Sequence, residues 1–113
     1  MILTALITGA VIIAGVGLLA SFWNDITEWL KKAINKVQSI VQGIVYGVTV
    51  FVRKVSEGIK EISKHYSKFQ NQWEETCTTR TVSESEVPEE IRKKASSSYD
   101  TDITHDYELQ LEH

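Results

Sequence analysis

The sequence predicts a mainly α membrane protein, and three observations carry that expectation. Residues 1–24 hold no charged side chain and are almost wholly apolar. Apolar residues then recur at helical spacing as far as residue 73. The charges are segregated, with none in 1–22, a net +4 in 23–73 and a net −7 in 74–113.

The opening run is long enough to span a bilayer, which takes ~20 apolar residues at ~1.5 Å each. Residues 1–23 are therefore expected to form an N-terminal transmembrane anchor helix. A cleaved signal peptide is the competing reading. It is disfavoured because no Lys or Arg precedes the run and the run exceeds the ~7–15 residues of a signal's apolar core. Small residues recur four apart at Ala5/Gly9, Ala10/Ala14 and Gly17/Ser21, on one helix face. In lipid such faces let helix backbones approach closely, which marks Ala5, Gly9, Ala10, Ala14 and Gly17 as helix-packing positions. Trp23 and Trp29 suit an interfacial aromatic belt, and Lys31 and Lys32 suit the headgroups.

The second element is a long amphipathic helix over 24–73. Its apolar positions begin 26, 30, 33, 37, 40, 44 and 48 and continue to 73, an average step of ~3.6 residues that matches a straight α-helix. A break is expected near Gly43 or Gly58. Residues 37–52 carry no charge and contain a GxxxG, Gly43 to Gly47. An alternative reading takes 37–52 as a second membrane segment. The positive-inside rule favours a single pass, because lysines and arginines flank the stretch on both sides. Such a helix, apolar all round, needs neighbours, so self-association is expected.

Residues 74–110 read as an acidic strand–helix–strand region. Residues 76–82 are β-prone. Pro88 with acids behind it and bases further on marks a short helix. The alternation Tyr99, Thr101, Ile103, His105, Tyr107, Leu109 marks a strand. Two strands make no stable sheet alone, so they are expected to pair between subunits. Low apolar content gives the alternative of a mostly disordered tail. The terminal residues 111–113 read as a tag remnant.

No reaction is written in the chain. It lacks a P-loop, GxGxxG, GxSxG and HExxH, so no catalytic residue and no cofactor are assigned. Cys77 is its one cysteine and has acidic neighbours, Glu74 and Glu75. Asp100, Asp102 and Asp106 would share one strand face with His105 on the other, a poor ligand geometry, so no metal is expected. His65 reads as a surface residue without a partner. The acidic tail and mixed charges argue against nucleic acid.

The functional expectation is a homo-oligomeric channel or pore in a bacterial or phage-type inner membrane, single-pass, with the C-terminus cytoplasmic. Its axis candidates are Gln38, Gln42 and Thr49, with Thr4 and Thr8 in the anchor. Gly43 and Gly47 join the helix-packing set. The alternative is a membrane-tethered scaffold that recruits a soluble protein through its acidic C-terminal region. Membrane lipid, self and that partner are the partners expected.

Overall fold

A computed structural model describes residues 12–13 and 17–112. The chain runs β1 (Ile12–Ile13), α1 (Gly17–Val41), β2 (Val45–Val55), β3 (Gly58–Phe69) and β4 (Gln72–Val82). A 3-10 turn (Glu84–Glu86), α2 (Glu89–Arg92), β5 (Thr101–Asp102), α3 (Thr104–Gln110) and β6 (Leu111–Glu112) complete it. This is an α+β fold. Its main sheet is antiparallel in the order β4-β3-β2-β5, and β1 pairs with β6 in a separate two-stranded ribbon.

α1 forms because its apolar residues lie on one stripe. Phe22, Trp23, Ile26, Leu30, Ala33, Ile34 and Val37 are buried, and Asp25, Glu28, Lys32, Asn35 and Lys36 face outward. Burying each large member stabilises by roughly 1.5–3 kcal/mol. The helix stops by a Schellman closure. Gln42 takes the left-handed conformation at φ 51°, and the Gly43 N–H donates to the Gln38 carbonyl five residues back. That pattern satisfies terminal carbonyls and turns the chain.

Residues 45–55 form sheet because valine dominates them, with aromatic and threonine partners, and these side chains fit a pleated, half-buried surface. Val48, Val50 and Val52 alternate onto the face beneath α1 and are buried. Two-residue turns join the strands, at Ser56–Glu57 and at Gln70–Asn71. The second has φ 49° and 65°, the positive pair of a type I′ turn, which matches the twist of a hairpin. At the first, Gly58 has φ +146°, and a Cβ there would meet the Val82 carbonyl oxygen.

The segment after β4 returns over the helix-covered face. Val87, Ile91, Ile103 and Tyr107 join the α1 core. Tyr107 stacks on Trp23 at 5.6 Å, and its hydroxyl lies 2.7 Å from Thr27 Oγ1. The same segment covers the outer edge of β2. The Ile103 N–H donates to the Val50 carbonyl, the Val50 N–H to Thr104 Oγ1, and the Lys54 N–H to the Ser96 carbonyl.

These observations correct the expected mainly α membrane fold. No helix among the described residues is long and apolar enough to cross a membrane. Ile12–Ile13 lie in a strand, and the residues from Gly17 to Trp23 are the first turns of an amphipathic helix with Phe22 and Trp23 in a core shared with the sheet. Neither the transmembrane helix nor the single-pass location is therefore supported. The long helix over 24–73 is replaced by the last part of α1 and most of a three-stranded meander. The strands pair within the chain rather than between subunits as expected. The strand expected over 99–109 is β5 followed by α3. Asp102 Oδ1 accepts from the Thr104 N–H and starts that helix, so Ile103 and Tyr107 share a helical face.

Candidate functional site

Both long faces of the meander carry polar or aromatic chemistry. Alternation on β3 places Ile59, Glu61, Ser63, His65 and Ser67 under α1, opposite Val82, Arg80, Thr78, Thr76 and Glu74 of β4. All five β3 residues are buried.

Glu61 is 1% exposed, and Arg80 answers it with Nε 2.5 Å from Glu61 Oε1. A second Arg80 nitrogen donates to Asp25 Oδ2 of α1 at 2.6 Å, and the guanidinium lies over the Trp29 ring at 4.6 Å. Burial pushes the Glu61 pKa up, and the Arg80 charge and hydrogen bond pull against that rise. The group ties α1 to β3 and β4. It borders a cleft of about 470 Å³ that Leu18, Phe22, Ser85 and Glu86 also line.

Further along β3, Ser63 Oγ lies 2.8 Å from His65 Nε2 and 2.5 Å from Thr78 Oγ1. The pair has the spacing of a nucleophile and its base. Yet among the described residues no carboxylate orients the ring and His65 Nδ1 has no hydrogen-bond partner, and neither residue is exposed. Burial lowers the His65 pKa to about 4. The network therefore holds the sheet's interior, and His65 is an interior residue where a surface position was expected.

The opposite face of the meander is the open one. Thr49, Phe51 and Arg53 of β2 lie beside Lys64, Ile62 and Lys60 of β3, with Cys77, Thr79 and Thr81 of β4 beyond. At the end nearest the β3–β4 turn, the register shift between Val45 and Gly47 brings Tyr46 onto this face. Tyr46 meets Trp73 edge to face at 5.8 Å. Tyr46, Gly47, Tyr66 and Trp73 line an almost wholly apolar cleft of about 300 Å³. Tyr46 is 49% exposed and Trp73 62%. Gly47 lines the cleft beside the rings and adds no side chain to it. Tyr66 is positioned by its hydroxyl, 3.1 Å from Thr49 Oγ1. Lys68 lies over the Trp73 ring at 5.8 Å.

The sequence-derived candidates are scattered over this framework. Gln38 Oε1 accepts from the Val45 N–H and so fixes the α1–β2 turn, whose left-handed residue is Gln42. Thr49 lies on the open face, buried, as the anchor of Tyr66. Trp23 is a core residue, and Trp29 is the stacking partner of Arg80. Lys31 pairs with Glu28 at 3.8 Å, and Lys32 lines a smaller groove with Trp29 and Thr78. Gly17 begins α1 at φ 61°, Gly43 closes its end, and Gly47 lines the cleft. Thr4, Thr8, Ala5, Gly9, Ala10 and Ala14 lie outside the described residues. Of all these, only Gly47 and Thr49 are drawn to the cleft. Sequence reasoning missed Tyr46, Tyr66 and Trp73 as a group, and it missed the Glu61–Arg80–Asp25 tie. The alternation of Val48, Val50 and Val52 was the signal for a strand, whereas the register shift before Gly47 takes Tyr46 out of that period, so the cleft itself had none.

Among the described residues no group of three His, Cys, Asp or Glu is placed to hold a metal ion. Comparison with protein-family models, with curated proteins and with solved structures gives no match.

Proposed function

We propose that the chain is a partner-binding module that seats an apolar or aromatic side chain of another protein in the Tyr46–Tyr66–Trp73 cleft. The observation that carries this reading is the exposure of two large aromatic rings beside Gly47, in a fold that buries Trp23 and Tyr107 completely. Aromatic residues gathered at an open concavity supply large contact area at low conformational cost, and Trp and Tyr dominate the energetic centres of protein interfaces. The cleft stands at the sheet end, away from the Glu61–Arg80–Asp25 tie that stabilises the fold. This reading puts recruitment on the meander, where the sequence suggested the acidic C-terminal region. Residues 83–110 instead contribute Val87, Ile91, Ile103 and Tyr107 to the core.

A phage-displayed random peptide library, selected on the full chain, tests the reading. Enriched peptides carry an aromatic or bulky aliphatic anchor, bind in the micromolar range and shift the Gly47 amide resonance. Trp73→Ala abolishes that binding without changing the circular dichroism. No enrichment, or peptides that bind the Trp73→Ala chain equally well, would refute it.

A further inference from the structure

The two edges of the main sheet are treated very differently. On the β2 side, β5 is two residues long, and the Ser96 carbonyl, the Ile103 N–H and the Thr104 hydroxyl bond to Lys54 and Val50 of the same edge. On the other side, nothing among the described residues pairs with β4, a strand of eleven residues with regular register throughout. It carries no proline, no lysine and no bulge, three of the devices that keep a sheet edge from pairing, and its charges are Glu74, Glu75 and the inward-facing Arg80. Its sequence from Thr76 to Val82 is rich in β-branched residues that suit pairing.

The outward-facing backbone groups of β4 can be read from the turn. In a two-residue hairpin the closing pair, here Phe69 and Gln72, exchanges hydrogen bonds, and alternate pairs beyond it do the same. Residues 72, 74, 76, 78, 80 and 82 therefore bond to β3. Trp73, Glu75, Cys77, Thr79 and Thr81 direct their N–H and C=O groups out of the sheet.

We propose that a second copy of this chain pairs with that edge, antiparallel and two-fold about Cys77, and makes one continuous sheet. A two-fold arrangement must match outward groups with outward groups, so its axis passes through a residue of the strand. Centring on Cys77, the midpoint of β4, uses the whole strand, from Trp73 against the partner's Thr81 to the reverse, with about ten hydrogen bonds. It sets Glu74 of each copy opposite the partner's Arg80, on the α1-covered face, where the guanidinium also serves Glu61 and Asp25. Centring on Glu75 opposes two like carboxylates, and centring on Arg80 opposes two guanidiniums. Centring on Thr76 or Thr78 places neither charge opposite its complement. Charge complementarity thus selects both the occupant and the register, since opposite charges directly across a ladder stabilise it and like charges destabilise it. Both copies of α1 lie on the same side, and the aromatic clefts lie at opposite ends of the joined open face. This pairing stands independently of what the cleft binds.

Sedimentation equilibrium of the full chain at ten to a hundred micromolar, joined to crosslinking with a short bis-maleimide, tests the proposal. The expected result is a dimer that the reagent links through Cys77, the chain's one cysteine. Thr79→Pro removes an outward N–H and no bond to β3, so it gives a folded monomer. Should that variant fail to fold, Glu74→Lys, at an exposed position, weakens dimerisation by about tenfold or more and makes it sensitive to salt. A chain monomeric at a hundred micromolar would overturn the proposal and leave the edge to a strand of another protein. A dimer that persists in both variants, or one that Cys77 does not link, would equally overturn it.

Discussion

Acid should destabilise this fold through one buried imidazole. His65 is 0% exposed, and its pKa lies near 4 because burial disfavours the charged form. In the unfolded chain the same group titrates near 6.5. A folded-state pKa below the unfolded value means that stability is present above 6.5 and is lost as pH falls toward 4, since the unfolded state takes the proton first. The full difference corresponds to about 3 kcal/mol, at ~1.36 kcal/mol per pH unit. Some 2.5 kcal/mol of it falls between about pH 7.5 and about pH 4.5. Glu61 acts in the opposite direction, because its raised pKa favours the folded state as pH falls. The assay is therefore a difference measurement. Urea unfolding of the native chain and of His65→Gln at the two pH values cancels Glu61 and every other shared group. The native chain should lose about 2.5 kcal/mol more than the variant over this interval. Equal losses within ~0.5 kcal/mol would show that His65 is hydrated in the folded state and would refute the reasoning.

Removing Arg80 leaves Glu61 buried without its partner. Arg80→Ala should therefore cost about 3–5 kcal/mol in urea unfolding, whereas Asp25→Asn at the exposed end of the same tie should cost under ~1 kcal/mol. Trp23→Ala empties a site packed by Phe22 and Tyr107 and should cost about 3–5 kcal/mol, visible as a large fall in the thermal midpoint. Gly58→Ala combines positive φ with a clash against the Val82 backbone and should cost about 3 kcal/mol, while Gly43→Ala, which meets only ordinary contacts, should change stability by less than ~1 kcal/mol. Trp73→Ala should leave the unfolding free energy within ~1 kcal/mol of the native value, because the ring is exposed.

The sequence states α1 clearly as far as residue 37. Helical spacing singles out Ile26, Leu30, Ala33 and Val37, and all four face the core. Beyond that point the same spacing misleads. In a run dense with valine, residues 3.6 apart can always be found, and the series 48, 51, 55, 59, 62 is split between the two faces of a hairpin, with 48 and 59 under α1 and the rest on the other face. The β-branched content of 45–55 and the Gln42–Gly43 helix stop carried the correct information. The charged residues of β3 concealed its register for a different reason. Beyond Ile59 its inward face is Glu61, Ser63, His65 and Ser67, while Ile62 and Tyr66 lie on the open face among Lys60, Lys64 and Lys68. Polarity alone inverts that strand, because the burial of Glu61 depends on Arg80, nineteen residues away. The alternation over 99–109 failed because Ile103 and Tyr107, four apart, satisfy a helix and a strand equally. The cleft was illegible for the same reason as the meander, since Tyr46, Tyr66 and Trp73 converge only once β2, β3 and β4 are paired.

The cleft, the buried polar row and the open β4 edge all depend on residues 45–82 forming a meander with one covered face. Nuclear Overhauser spectra of the full chain test this most directly. Hα–Hα cross-peaks should join Lys64 to Cys77 and Ile62 to Thr79, the closely spaced pairs of the β3–β4 ladder. Ring contacts should join Tyr46 to Trp73. Continuous contacts between residues three apart from Gln42 through Phe69 would instead mean a single helix and would contradict the sheet and everything built on it.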